Sequence, residues 1–363
     1  MTTPTLSRPA GLLRRAAGLL ASPLVPEDYL ALLHPLAGRE LRARVVAVLP
    51  ETRSEDGAPT AATVVLRPGR AWAAHRPGQY LRLGLDVGGV RQWRAYSITS
   101  PPAPDDGCVR ITVKAIPDGT VSNQVVRALQ PGAIVRLEPA EGDFVLPSVL
   151  PAKALFLTGG SGITPVMGML RSHRLPDAVV LHSALTRTDV IFGDELRALA
   201  AAGHITLIER HTDADGLLDL AELDAVVPDW RERDTWACGP AGLLSAAENH
   251  WDAAGLAAQL RVERFRPLVV AAEGDGGTVT FATSARTADA EGAATLLDTG
   301  EAAGVLMPSG CRMGICRGCV VPLLSGSVRD LRTGDTTTAV PGDATTYVQT
   351  CISAAAGPCE LGV

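Results

Sequence analysis

The chain has 363 residues, 46% of them hydrophobic, and a formal net charge of -6. That length exceeds one ordinary domain and suits two or three; no apolar run is long enough to cross a bilayer, and the acidic balance argues against a nucleic-acid partner. Seven cysteines in a chain of this size do not make a disulfide framework and point to a reducing, cytoplasmic setting.

In residues 1–40, Leu12, Leu13, Ala16, Leu19 and Leu20 recur at helical spacing with Arg8, Arg14 and Arg15 nearby. This predicts a short basic amphipathic helix packed on the next domain, with peripheral contact at the inner face of a membrane as the second reading. It fits a secretory signal poorly, because the apolar core is short and no small-residue cleavage site follows. Residues 41–149 read as strands at 42–49, 63–67, 79–85, 90–98, 109–114 and 134–138, the pattern of a small antiparallel β-barrel. Gly88-Gly89 is a hairpin turn and 53–59 a polar loop. One helix, from 121 to about 129, is closed by Pro131-Gly132. Over 150–268 the rhythm becomes α/β: strands at 154–158, 178–183, 205–209, 235–238 and 260–265 alternate with helices from 163, from 194 and after 238, which predicts a parallel sheet with covering helices. Residues 269–276, with Glu273, Gly274, Asp275 and Gly276, read as a linker. The last domain, 277–363, opens with a strand at 278–282 and an acidic helix at 294–302.

A cysteine loop follows. Cys311, Cys316 and Cys319 are spaced C-x4-C-x2-C, with Cys351 more distant, which is the plant-type pattern for a 2Fe-2S cluster and implies an α+β, β-grasp-type ferredoxin domain. Zinc modules pair their cysteines as C-x2-C knuckles, and only Cys316 and Cys319 are so paired; a structural zinc knuckle is the alternative. Gly310, Gly314 and Gly318 let backbone amides approach the sulfurs, and such bonds tune the potential. Cys359 is the rival for fourth ligand. Cys108, Cys238 and Cys359 otherwise read as free thiols.

Arg94-Ala95-Tyr96-Ser97 ends a barrel strand, and Gly119-Thr120-Val121-Ser122 opens the following helix. Alone, the first could be a half-exposed strand edge; together they resemble the flavin-binding pair of the ferredoxin reductase family. The resemblance implies FAD. Arg94 would neutralise its phosphate and Tyr96 pack along the isoalloxazine or ribityl chain. Ser97 would hydrogen-bond near flavin N5, and Gly119, Val121 and Ser122 would hold the pyrophosphate at a helix start, with Lys114 lining the pocket. Thr158-Gly159-Gly160-Ser161-Gly162-Ile163-Thr164-Pro165 follows a buried strand and begins a helix, where a parallel sheet presents amides to a nucleotide diphosphate. It is similar to the family's nucleotide turn, and its partner is Ala237-Cys238-Gly239-Pro240, which would place Cys238 beside the nicotinamide; a buried small hydrophobe is the plain reading of that thiol. Ser183, Thr186 and Arg187 fall where the family receives the adenosine ribose, and Arg187 favours NADPH over NADH by offering a 2'-phosphate partner. Glu263-Arg264-Phe265 resembles the segment that brings an acid and an aromatic to the flavin, although Phe265 could equally be core.

The modules therefore occur in the order flavin, nicotinamide, ferredoxin, and the chain looks like a ferredoxin reductase with a fused plant-type ferredoxin. The long N-terminal lead-in, Arg94-Ala95-Tyr96-Ser97 and Cys311-Arg312-Met313-Gly314-Ile315-Cys316 are especially similar to the NADPH-dependent reductases of stearoyl-CoA desaturase. The resemblance implies an oxidoreductase in which FAD divides an electron pair and a cluster near about -400 mV, held by Cys311, Cys316, Cys319 and Cys351, passes single electrons to a protein acceptor. That acceptor is expected to be a membrane fatty acyl desaturase or an oxygenase. Ser97, Thr164, Cys238 and Glu263 would position the nicotinamide. The alternatives are a reductase of a Rieske, acyl-CoA or P450 oxygenase and, from another class, a redox-sensing iron-sulfur protein.

Overall fold

The computed structural model describes residues 40–87, 90–117, 119–265, 274–314, 317–342 and 345–363. The basic N-terminal helix, the Gly88-Gly89 turn, most of the linker and Cys316 lie outside the described residues.

The first sheet holds β1 (Arg42–Arg53), β2 (Pro59–Pro68), β3 (Tyr80–Val87), β4 (Val90–Ser97), β5 (Val109–Lys114) and β6 (Ile134–Leu137) in the order β4-β3-β6-β1-β2-β5, with antiparallel neighbours. Its two outer strands meet just past the end of β4. Ile98 bridges Ile111 of β5, and the Thr99 N–H donates to the Arg110 carbonyl at 2.8 Å, so the sheet closes into the barrel that the alternation predicts. Leu81, Leu83, Val64, Ile98 and Ile111 fill its interior. The helix expected over 121–129 is instead one α-turn, α1 (Thr120–Asn123), followed by a π-turn over Gln124–Ala128. Val121, Val125 and Val126 are all buried, and a π-turn, wider by one residue, lets the adjacent pair Val125 and Val126 face the barrel together.

The second sheet is wholly parallel: β7 (Ala154–Gly159), β8 (Ala178–Ala184), β9 (Thr206–His211), β10 (Asp234–Cys238) and β11 (Leu260–Glu263), in the order β11-β10-β7-β8-β9. Every residue of β7 is buried, as expected of a strand covered on both faces. α2 (Ile163–Ser172) and α3 (Gly193–Ala201) contribute Ile163, Val166 and Leu196 to one core, while α4 (Ala241–Ala253) contributes Leu244 and Trp251 to the other. Phe144 and Leu146, assigned above to the barrel segment, pack into the first of these cores.

The third sheet is mixed. β12 (Gly277–Phe281), β13 (Arg286–Ala290), β14 (Val320–Asp330), β15 (Thr336–Ala339) and β17 (Ser353–Leu361) run in the order β13-β12-β17-β14-β15, and β16 (Thr346–Gln349) pairs with β14. β12 and β17 are parallel, and the other pairs are antiparallel. The helix α5 (Leu296–Ala302) buries Leu296 and Leu297 against this sheet; its N-terminus is capped by the Thr295 hydroxyl, which accepts from the Asp298 amide at 3.0 Å. This is the α+β third domain expected beside the other two. Among the described residues no helix is long and apolar enough to cross a membrane.

Candidate functional site

Antiparallel register sets Ser97 opposite Tyr80, Tyr96 opposite Leu81 and Arg94 opposite Leu83. Ser97 is 3% exposed, and its hydroxyl has no protein hydrogen-bond partner among the described residues. A buried hydroxyl without a partner costs about 1 to 3 kcal/mol, so this one fits a site whose partner is a bound group. Arg94 donates to the Trp93 carbonyl at 2.8 Å, and no carboxylate among the described residues hydrogen-bonds it. Burial, followed by the like charge of Arg312, lowers its pKa to about 10, which leaves a cation at neutral pH suited to an anionic ligand. Burial raises the Tyr96 phenol far enough to keep it neutral. The Ser122 hydroxyl is turned inward: it donates to the Gly119 carbonyl at 3.1 Å and accepts from the Ile116 amide at 3.3 Å. Its expected role at a pyrophosphate would therefore fall to backbone amides of the turn.

The nucleotide turn packs on the end of β10. A Cβ at Gly162 would collide with the Cys238 carbonyl, and one at Gly159 would sit 2.7 Å from Pro240. At Gly162 the two loops touch backbone to backbone, and at Gly159 the Pro240 ring takes the space of a side chain. Gly160 has φ +53, and Lys114 reaches across from β5 to within 3.9 Å of where its Cβ would stand. Thr164 is buried and donates its hydroxyl to the Ser161 carbonyl at 2.9 Å, holding the turn, and Pro165 sits in the buried first turn of α2. Cys238 is fully buried, and desolvation followed by the charge of Glu263 raises its thiol. It is a packed neutral group beside the turn. Glu263, its register neighbour on β11, is pushed up to about 8 by burial, and its Oε2 is enclosed without a protein partner among the described residues.

At the far end of the sheet, Ser183 follows its expected strand position, and Arg187 is 63% exposed and 3.4 Å from Glu209. Asp189 is not available to a ribose, because it forms a capping box with Thr186. Phe265 is 37% exposed and does not belong to the core. The expected last strand stops at Glu263, and Arg264 turns to pair with Glu248.

Cys311, Cys319 and Cys351 are each about 5% exposed or less. The Cys319 and Cys351 sulfurs lie 3.2 Å apart, and their shared hydrogen bond favours the thiolate on one sulfur, Cys319, while raising Cys351. A deprotonated sulfur is the form that binds iron. Arg312, Gly314 and Arg317 have φ of 58, 77 and 56, a left-handed path that turns amides inward: Met313 N–H donates to the Cys311 sulfur at 3.3 Å, and the Gly314 amide bonds the Cys351 sulfur. Cys359 lies instead within β17, paired with Val279, and burial lifts its thiol to about 11.

Reading the sequence missed Tyr80, whose pattern is that of any inward strand residue. Its phenol is raised to about 12 by burial and then by Glu141, and Cys311 and Glu263 also act on it. One residue of the flavin strands thus feels both the acid beside the nucleotide turn and a cysteine of the third domain. Arg312, tied to Asp298 at 3.2 Å and also to Glu301, likewise acts on Arg94.

A model of the oxidoreductase FAD-binding domain matches residues 70–146, and one of the 2Fe-2S iron-sulfur cluster binding domain matches residues 279–356. Over 361 residues the chain is 50% identical to an NADPH oxidoreductase of Mycobacterium tuberculosis, covering 97% of this chain and 92% of that one. The chain belongs to the ferredoxin-reductase-type FAD and 2Fe-2S oxidoreductases. This reductase is also 30% identical over 280 residues to a glycine betaine monooxygenase reductase subunit of Pseudomonas aeruginosa, covering 68% of this chain and 76% of that one. Its fold matches that of phthalate dioxygenase reductase with a TM-score of 0.59 at 19% identity, over 90% of this chain and 98% of that one. FAD and a 2Fe-2S cluster are the cofactors of the reductase, and the enclosed Ser97 hydroxyl, the Arg94 cation and the paired sulfurs fit them.

Proposed function

We propose that this reductase takes hydride from NADPH and delivers single electrons to the iron centre of a terminal oxygenase or fatty acyl desaturase. The observation that carries the reading is the seating of the nucleotide module on the flavin strands, where a Cβ at Gly168 of α2 would collide with the Ile98 carbonyl and Lys114 of β5 comes within 3.9 Å of a Cβ at Gly160 of the nucleotide turn, since a relay needs its entry beside the flavin strands. When bound, FAD would supply the division of the electron pair of one hydride into single electrons, and the cluster would accept these one at a time.

The residues of the chain bind and orient. Arg94 would hold the flavin phosphate, while Ser97 and Glu263 would offer enclosed polar atoms to the reacting rings. At neutral pH Glu263 carries its proton and can therefore donate a hydrogen bond. Cys238 and the glycines of the turn set the floor on which the nicotinamide would rest, and dry packing around them excludes water. NADPH is preferred over NADH on two grounds: the coenzyme named for the M. tuberculosis relative and the exposed Arg187 at the ribose end.

The desaturase reading rests on the resemblance at residues 94–97 and 311–316. The oxygenase reading rests on relatives that are reductases of glycine betaine and 3-ketosteroid monooxygenases. Anaerobic titration with NADPH and with NADH tests the entry step: flavin and cluster absorbance should bleach at lower NADPH than NADH, and a protein bleached by neither coenzyme refutes the function. Turnover with a membrane desaturase and with soluble oxygenases then separates the acceptors.

A further inference from the structure

The helix α2 does two jobs. Its first turn continues the nucleotide loop, and its last turns rest on the end of the flavin strand. At Gly168 the helix backbone touches that strand so closely that a Cβ would collide with the Ile98 carbonyl. One turn of helix further on, Arg171 Nη1 donates to the carbonyl of Thr99 at 2.7 Å. Thr99 is fully buried, so water competes poorly for that bond. The rest of the guanidinium is held as well: Nε donates to Glu195 at 2.8 Å, and the group lies 4.7 Å over the ring of Phe192. Phe192 is itself a buried non-glycine residue at φ 61, a left-handed backbone conformation that side chains disfavour and that persists because its surroundings fix it. Ser97, which in the proposed function offers its enclosed hydroxyl to the reacting rings, is two residues from Thr99.

We propose that Arg171, seated by Gly168, is a positioning residue that locks the nucleotide turn against the flavin strand and so sets the geometry of hydride transfer. This rests on the reading that NADPH is oxidised by one hydride, two electrons with one proton, as FAD is reduced. A ten-residue helix is about 15 Å long and stiff, so a shift at its clamped end arrives at the turn with similar size. A misplacement of about 1 Å costs roughly a hundred-fold in rate.

The test uses the full-length flavin- and cluster-loaded protein. Arg171→Met should slow flavin bleaching at saturating NADPH by about ten-fold or more, with the half-saturating NADPH concentration within about two-fold of the parent. Arg171→Lys, which keeps a donor for Thr99, should recover part of the rate. Without nucleotide, amide hydrogen exchange over 98–100 and 163–172 should be faster in the Met variant, while that of 109–114 stays the same. An unchanged saturating rate, a loss confined to half-saturation, a Lys variant no better than Met, or unchanged exchange over 163–172 overturns the clamp. If Arg171→Met fails to keep flavin, Gly168→Ala is read by the same rate, half-saturation and exchange criteria. A parent protein that NADPH does not bleach removes the functional reading itself, and the clamp with it, whereas a bleached parent with indifferent variants removes only the clamp.

Discussion

Glu263 shows how one side chain couples stability to function. Burial raises its pKa from 4.5 to about 8. Between those values the folded protein holds a proton that the unfolded chain has released, so Glu263 makes stability fall as pH rises through that window. Glu263→Gln, neutral throughout, should flatten that part of the decline, read as the Tm of variant and parent across the window in flavin-loaded, nucleotide-free protein. Glu263, Ser97 and Arg94 were picked out because the motifs around them resemble those of the ferredoxin reductase family. Tyr80 and Arg171 were not: an aromatic on a strand and an arginine in the last turn of a helix are ordinary in those places, and only packing gives them roles.

At the scale of elements, the turn between β7 and α2 is the most constrained. Gly162→Ala would drive a methyl group into the Cys238 carbonyl, and backbone on both sides leaves nothing flexible to yield. Such a variant should keep its flavin spectrum and bleach with dithionite, but lose bleaching by NADPH by about a hundred-fold or more. The parallel strands were readable because β7 and β8 are continuous apolar runs, and the barrel strands because polar turns punctuate them. In the third domain only β12 and the helix were anticipated. β13 and β15 are short edge strands rich in threonine and alanine, and β17 carries glycine and Pro358 in its interior, so neither alternation nor propensity marks them. β13 folds back on β12 and β15 on β14 as local hairpins, while β16 and β17 are recruited by β14 from further along the chain. The π-turn after α1 was equally hidden, because periodicity reports a helix without its pitch.

At the scale of the whole molecule, the proposed electron flow runs from the middle module to the first and then to the last, nicotinamide to flavin to cluster, so the order along the chain is not the order of transfer. Cys319→Ser should abolish reduction of cytochrome c, which depends on the cluster, while NADPH-driven reduction of ferricyanide at the flavin continues; equal loss of both activities would contradict the relay. The domain order could be read along the chain, since each module carries its own motif. Their mutual placement could not, because it depends on contacts such as Trp236 Nε1 with the Val145 carbonyl at 3.3 Å, between residues far apart in sequence.

The backbone of Thr99 faces two ways: its N–H completes the barrel seam, and its C=O receives Arg171. The landing place for the second module therefore does not exist until the first has shut, which imposes a sequence on maturation, N-terminal module first, in step with synthesis. Lesions at the seam would then surface as a mis-seated coenzyme domain before any melting of the barrel.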